Sequence, residues 1–220
     1  PVAAYVPAVR SGAHVHTSGQ LPFVEGALPL TGERTVPDLA EENYWFRRHE
    51  VVYRRLVERC RDRDVLEAGA GEGYGADLIA DVAHRVIGLD YDESSLAHIR
   101  ARYPRVEMLH GNLAALPLPD ASVDVVVNFQ VIEHLWDQPR FVAECRRVLR
   151  PGGLLIISSP ERDIYSPLGS AANPYHVREL TRAEFEARIQ EYFPHYRLLM
   201  QRTLIGSALI GLSMLGDLPW

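Results

Sequence analysis

The chain of 220 residues holds only two cysteines and three methionines, and it has no excess of basic charge. Cys60 and Cys145 are far apart and each falls in a helical pattern, so neither a disulfide framework nor a metal-ligand spacing is available. Reduced thiols packed in a cytoplasmic protein are the expectation. The net charge of −6 excludes a broad basic face. The densest basic cluster, Arg47-Arg48 to Arg54-Arg55, is interrupted by Glu50 and followed by Glu58, which argues against a nucleic-acid partner. No apolar run reaches the ~20 residues of a membrane span. The longest, Leu204 to Leu215, is shorter, and the amino end lacks the basic-then-apolar pattern of a signal peptide, so the sequence predicts a soluble chain with no membrane span.

A composition of 47% hydrophobic and 24% charged residues is that of one globular domain with extensions. Residues 1–36 are rich in Pro, Gly, Ala and Ser without a sustained period and read as a poorly ordered arm. His14 and His16 on that arm have no third ligand nearby and read as solvated. Residues 37–203 form the expected domain, and 204–220 an apolar tail that serves as last strand, lid or interface. Between Asp38 and Cys60, Trp45, Val52 and Leu56 recur at helical spacing. Strands are expected at Asp64 to Ala68, Arg85 to Leu89, Val106 to Leu109, Val123 to Phe129, Leu154 to Ser158 and Tyr196 to Thr203, with helices between most of them. Thr181-Arg182-Ala183-Glu184 is a capping box for a late helix. The alternation predicts an α/β fold: a doubly wound, mostly parallel, Rossmann-like sheet with helices on both faces. Ligands then bind at the carboxyl ends of the strands, where strand order reverses.

The first strand runs into Glu67-Ala68-Gly69-Ala70-Gly71-Glu72-Gly73-Tyr74-Gly75. Glycines at 69 and 71 let a ligand approach bare backbone, and a helix starting near Tyr74 aims free N–H groups into the same crevice. A dinucleotide site needs G-x-G-x-x-G, but Tyr74 stands three residues after Gly71, and the Glu67 carboxylate would repel a pyrophosphate. S-adenosylmethionine (SAM) has no phosphate and carries an ammonium and a sulfonium, which an acid attracts. Asp90 ends the second strand, placed to accept ribose hydroxyls, and Tyr91 beside it is either an adenine cover or core. Asn112 offers an acceptor to an adenine amino group, with Leu113 as apolar contact; its alternative is a turn former. Asn128 and Gln130 bring polar groups to the end of the fourth strand, where donor and acceptor should meet.

These motifs, with Pro119-Asp120, Val131-Ile132-Glu133-His134 and Leu149-Arg150-Pro151-Gly152-Gly153, resemble the class I SAM-dependent methyltransferases over roughly residues 60 to 160. A narrower resemblance, through Leu30 to Pro37, Asn43 to His49 and Phe129 to Gln138, is to actinobacterial sugar O-methyltransferases linked to methylglucose lipopolysaccharide synthesis. The resemblance implies SAM as cofactor with S-adenosylhomocysteine as product, and a seven-stranded sheet. It also implies polysaccharide biosynthesis and a carbohydrate hydroxyl as acceptor. A phenolic or quinone-like acceptor, or a non-catalytic SAM-binding subunit, stays open beside it, as does a homodimer. The Asn173-Pro174-Tyr175 run is unlike the adenine-amino methyltransferase element, which follows the fourth strand. His134 is the first candidate base and His176, in a loop after the fifth strand, the second. Pairing Glu133 with His134 around a metal is disfavoured because neighbours on a helix diverge, so no metal is expected.

Overall fold

The computed structural model describes residues 35–37, 43–170 and 173–201, together with the backbone of Ala8–Ser11 and His14–Thr17. Those two segments, β1 (Ala8–Ser11) and β2 (His14–Thr17), pair antiparallel within the arm, and the rest of 1–34 lies outside the described residues. Five further strands form a parallel sheet: β3 (Asp64–Ala68), β4 (Arg85–Asp90), β5 (Glu107–His110), β6 (Val123–Phe129) and β7 (Leu149–Ser158). Their order is β5-β4-β3-β6-β7, so the chain winds outward from β3 to one side, then crosses and winds to the other. The reversal falls between β3 and β6, and the crevice above their carboxyl ends is the expected ligand position.

Strands buried on both faces need apolar residues on both, which explains the unbroken Val/Leu/Ile runs. Leu66, Ala68, Leu89 and Val126 face Phe141, Val142, Cys145 and Val148 of α4 (Gln138–Val148) and Ile189 of α6 (Arg182–Gln190). Val65, Val86, Val125 and Val127 face Tyr53 of α1 (Asn43–Leu56), Ala76 and Ile79 of α2 (Tyr74–Ala80), and Leu96 and Ile99 of α3 (Glu93–Arg102). Both cysteines are buried and unpaired. The helix starts follow local chemistry. Asp92 caps α3 by accepting from the Ser94 amide at 3.2 Å, and Thr181 and Glu184 form the expected reciprocal capping box.

Three features differ from the sequence reading. β7 begins at Leu149 rather than Leu154, because Arg150-Pro151-Gly152-Gly153 stays in the strand as an irregularity in its pairing with β6. Tyr196 to Gln201 is not a strand; it is held by side-chain bonds instead, Gln190 donating to the Tyr196 hydroxyl and Gln201 to the Arg48 carbonyl. Arg202, Thr203 and the tail 204–220 lie outside the described residues. The described sheet therefore has five of the seven strands the resemblance implies. A further short helix, α5 (Arg162–Tyr165), opens a long loop after β7. A bridge between Glu161 and Leu180 pins the two ends of that loop together.

Gly73 and Gly152 separate backbone strain from packing. Gly73 has φ +97°, and a Cβ there would stand 2.6 Å from Ile99 Cγ1; Gly152 has φ +78° with nothing within 4 Å. Gly152→Ala should lose about 1 kcal/mol from left-handed backbone alone. Gly73→Ala should lose roughly 3 kcal/mol, because overpacking against α3 adds to the strain. Urea unfolding of the two variants checks the difference, and equal losses would contradict the packing assignment.

Candidate active site

The loop after β3 turns on glycines at φ +86° (Gly69), +56° (Gly71) and +97° (Gly73). Gly69 and Ala70 amides donate to the Leu89 carbonyl at 2.8 and 3.0 Å, and the Gly71 amide donates to Asp90 Oδ2 at 2.8 Å. Asp90 Oδ1 accepts from the Asp92 amide at 3.0 Å. One carboxylate thus joins the glycine loop to the end of β4. A Cβ on Gly71 would meet nothing within 4 Å, so this backbone borders open space, whereas a Cβ on Gly69 would reach 2.8 Å from Val131. Between the glycines, Glu72 turns inward: its buried carboxylate lies 2.6 Å from His98 Nε2 and accepts from the Tyr103 hydroxyl at 3.0 Å. That contact fastens the loop to α3.

Glu67 is buried under the loop, where Tyr53 donates to its Oε1 at 2.5 Å, and its Oε2 has no hydrogen-bond partner. Burial, opposed by the Tyr53 hydroxyl and the Ala76 amide, raises its pKa to about 8. On the neighbouring strand Asn128 is fully buried; its Nδ2 donates to the Ala68 carbonyl at 2.7 Å and its Oδ1 has no partner. Two buried side-chain oxygens at the ends of adjacent strands therefore have no partner: Asn128 Oδ1 is an acceptor without a donor, while Glu67, neutral near pH 7, carries its proton.

The remaining expected cofactor residues divide. Tyr91 is 65% exposed, which removes its reading as core. Asn112 is exposed and its Oδ1 accepts from the Ala114 amide at 2.8 Å, the geometry of a turn former, while Leu113 is buried beside Leu116 in the core. Gln130 takes φ +55° at the end of β6 and donates to Ser158 Oγ at 3.0 Å. Tyr74 points toward α1: its hydroxyl lies 3.0 Å from Thr35 Oγ1 and 3.4 Å from His49 Nδ1, and its ring stacks edge-on against Phe46 and Tyr53. Burial, aided by the Arg48 charge, lowers His49 to about 4 and keeps it neutral near pH 7. Tyr53 and His49 were not singled out from sequence. Their signal was present, since Phe46, His49 and Tyr53 recur at i, i+3 and i+7 on one helical face.

His134 and His176 do meet. They come from a 3₁₀ turn (Ile132–His134) after β6 and from the loop after β7, and their rings lie edge to face at 4.9 Å. Main-chain bonds fix the contact, because the Val177 and Arg178 amides both donate to the Glu133 carbonyl, at 2.9 and 3.0 Å. His134 Nδ1 lies 2.9 Å from the Tyr175 carbonyl, so it carries the proton and Nε2 carries the lone pair. His176 Nδ1 lies 2.5 Å from Glu179 Oε1, and its Nε2 is 3.2 Å from Asn173 Nδ2. The expected divergence of Glu133 and His134 is not what the turn shows: one donor atom each from Glu133, His134 and His176 falls within 4.8 Å of the others. A 3₁₀ turn, unlike the α-helix assumed, allows this together with a partner from another loop.

Glu67 gives a pH dependence with a definite sign. Its folded pKa of about 8 exceeds its unfolded value of 4.5, so its contribution is complete below pH 4.5 and is lost as pH rises through 8. Glu67→Gln should remove that part of the slope. The stability of the wild-type chain relative to the variant should fall by on the order of a few kcal/mol between pH 5 and 9. Parallel urea titrations check this, and a constant difference would mean Glu67 is not held neutral by burial.

Residues 66–157 match the methyltransferase domain family. The chain is 75% identical over 159 residues to a protein of Mycolicibacterium smegmatis named a probable S-adenosylmethionine-dependent methyltransferase, covering 72% of this chain and 62% of that protein. It is 69% identical over 158 residues to a protein of Mycobacterium tuberculosis strain H37Rv with the same description, covering 71% of this chain and 58% of that protein. The chain therefore spans about three fifths of the length of these relatives. The YcgJ protein of Bacillus subtilis shares the fold at a TM-score of 0.60 and 23% identity, over 66% of this chain and 68% of that one. Among the described residues no helix is long and apolar enough to cross a membrane. The segment 66–157 is a methyltransferase domain on the class I α/β fold, and the cofactor of that domain is S-adenosylmethionine.

Proposed function

We propose that the chain moves a methyl group from SAM to a hydroxyl of a small molecule, with a sugar or oligosaccharide as the acceptor class. The observation that supports this reading is the placement of two groups after the carboxyl ends of strands on either side of the strand-order reversal. A glycine loop closed on Asp90 follows β3, and a paired His134 and His176 follow β6 and β7. SAM supplies a methyl group on a sulfonium, open to in-line displacement, so positioning accounts for much of the rate. In this reading Asp90 accepts the ribose hydroxyls, a carboxylate having room for about four hydrogen bonds. The unpartnered Oδ1 of Asn128 faces the donor groups of the methionine end. His134 Nε2 takes the acceptor's proton, its tautomer set by the Tyr175 carbonyl. His176, oriented by Glu179, packs against that ring.

The acceptor class rests on the residue patterns near the amino end and in the turn after β6, and on the polar side chains Asn173, His176 and Glu179 carried by the loop after β7. A phenolic acceptor would instead need an apolar slot there. Incubation with labelled SAM and matched panels of oligosaccharides and phenols tests the class directly; label transfer confined to phenols would overturn it.

Two variants separate the halves of the site. Asp90→Ala should weaken SAM binding by ~1.5 to 3 kcal/mol, measured by calorimetry, as for a hydrogen-bonded charged group; unchanged affinity would remove Asp90 from the cofactor site. His134→Ala should lower kcat by ~10² to 10⁴ while SAM affinity stays within about twofold. Equal loss of both would make His134 a residue that positions the cofactor.

A further inference from the structure

We propose that Glu133, His134 and His176 bind one divalent transition-metal cation. The inference rests on the acceptor-pocket reading for its location only, and it does not require methyl transfer to hold.

Three observations converge. The donor atoms of the three residues lie within 4.8 Å of one another. Metal–ligand bonds of about 2.0 to 2.2 Å place neighbouring ligands roughly 3 to 3.5 Å apart, so the widest pair in the cluster needs to tighten by at most roughly 1.5 to 2 Å. Second, the Glu133 carboxylate is 1% exposed and its Oε2 has no partner, while Glu179 Oε2 beside His176 is likewise buried and unpartnered. A dry site that leaves carboxylate oxygens unmatched suits a cation.

The third observation is the arrangement behind the histidines. A metal-bound imidazole typically donates its other ring N–H to a carbonyl or carboxylate, which fixes the ring and its tautomer. His134 has that contact from Nδ1 to the Tyr175 carbonyl, and His176 has it from Nδ1 to Glu179. With Nδ1 engaged in this way, Nε2 is the ring nitrogen that each histidine would offer to a cation. One contact opposes the site: Asn173 Nδ2 lies 3.2 Å from His176 Nε2 and must yield when a cation binds. Asn173 also has the Tyr165 hydroxyl at 3.3 Å from Nδ2 and the Tyr175 amide at 3.0 Å from Oδ1, so the amide retains partners.

The donor set selects the ion. Two imidazoles and one carboxylate suit zinc, cobalt, iron or manganese, whereas magnesium and calcium prefer all-oxygen shells. Three protein ligands leave a position for water or a hydroxyl oxygen, as open sites do; in the cation-bound chain the His134 Nε2 lone pair is a ligand and no longer the base, and coordination of the hydroxyl would lower its pKa instead.

The test uses the full chain after dialysis against a chelator. Titration with Co²⁺, followed by its visible d–d absorption, should show one ion per chain, displaced by Zn²⁺ and indifferent to Mg²⁺. Glu133→Gln and His176→Ala should each weaken Co²⁺ binding at least about tenfold, and Glu179→Gln, which leaves all three ligands in place, about 10- to 100-fold. Absence of Co²⁺ binding, or affinity unchanged in both ligand variants, overturns the proposal. In the wild-type chain, Zn²⁺ should shift the imidazole resonances of His134 and His176, and shifts confined to other histidines also overturn it, whatever the variants' folding. Sugar methylation by a chain that binds no cation would leave the acceptor reading standing and end this one. A bound cation without methylation would do the reverse.

Discussion

The hydrogen bond from the Gly71 amide to Asp90 Oδ2 closes the crevice from which the rest of the site follows. Parallel strands supply no local turn to hold the loop after β3, so its shape has to come from a neighbouring strand. Asp90 and the Leu89 carbonyl provide three such contacts, from Gly69, Ala70 and Gly71. With the loop fixed, α2 starts at Tyr74, and its first turn brings Ala76 over Glu67. The carboxylate proposed to accept the ribose hydroxyls is therefore a structural element as well. Loss of its side chain removes the acceptor that fixes the Gly71 backbone.

The second constraint is the number of acidic and amide side chains taken out of water near the carboxyl ends of the strands. Glu67, Glu72, Asn128 and Glu133 are each at most 1% exposed. Glu72 is matched by His98 and Tyr103 and serves packing. The other three each retain an oxygen without a partner, a burden of roughly 1 to 3 kcal/mol apiece. Burial raises both Glu67 and Glu133 to about 8, which lessens the penalty by holding them neutral near pH 7. Stability alone would favour apolar residues at these positions. The penalty has a physical rationale if a ligand supplies the missing partners near the carboxyl ends of β3 and β6.

Local signals were legible wherever one residue type meets one backbone demand. Positive φ at Gly69, Gly71 and Gly73, the Thr181 capping box, the start of α2 and the five parallel strands all follow from neighbours in sequence. What escaped depends on contacts across the chain. Tyr53 reaches Glu67 across 14 positions, and the Tyr74 hydroxyl lies beside Thr35 and His49, 39 and 25 positions away. Tyr196 to Gln201 holds a short apolar run, Leu198-Leu199-Met200, yet finds no ladder among the described residues. The pairing of His134 with His176 was invisible for the same reason: each was a separate candidate, and only the docking of the late loop onto the Glu133 carbonyl joins them.

In the proposed reading that docking ties the candidate base to the late loop. The carbonyl that sets the tautomer of His134 belongs to Tyr175, in the loop whose ends are pinned by the Glu161–Leu180 bridge. Gln138, at the start of α4, donates to the Ile132 and Arg178 carbonyls and so spans the turn and the loop. If His134 is the base, as proposed, one hydrogen bond from the loop, Nδ1 to the Tyr175 carbonyl, decides which ring nitrogen carries the lone pair, so the loop and the base act as one unit.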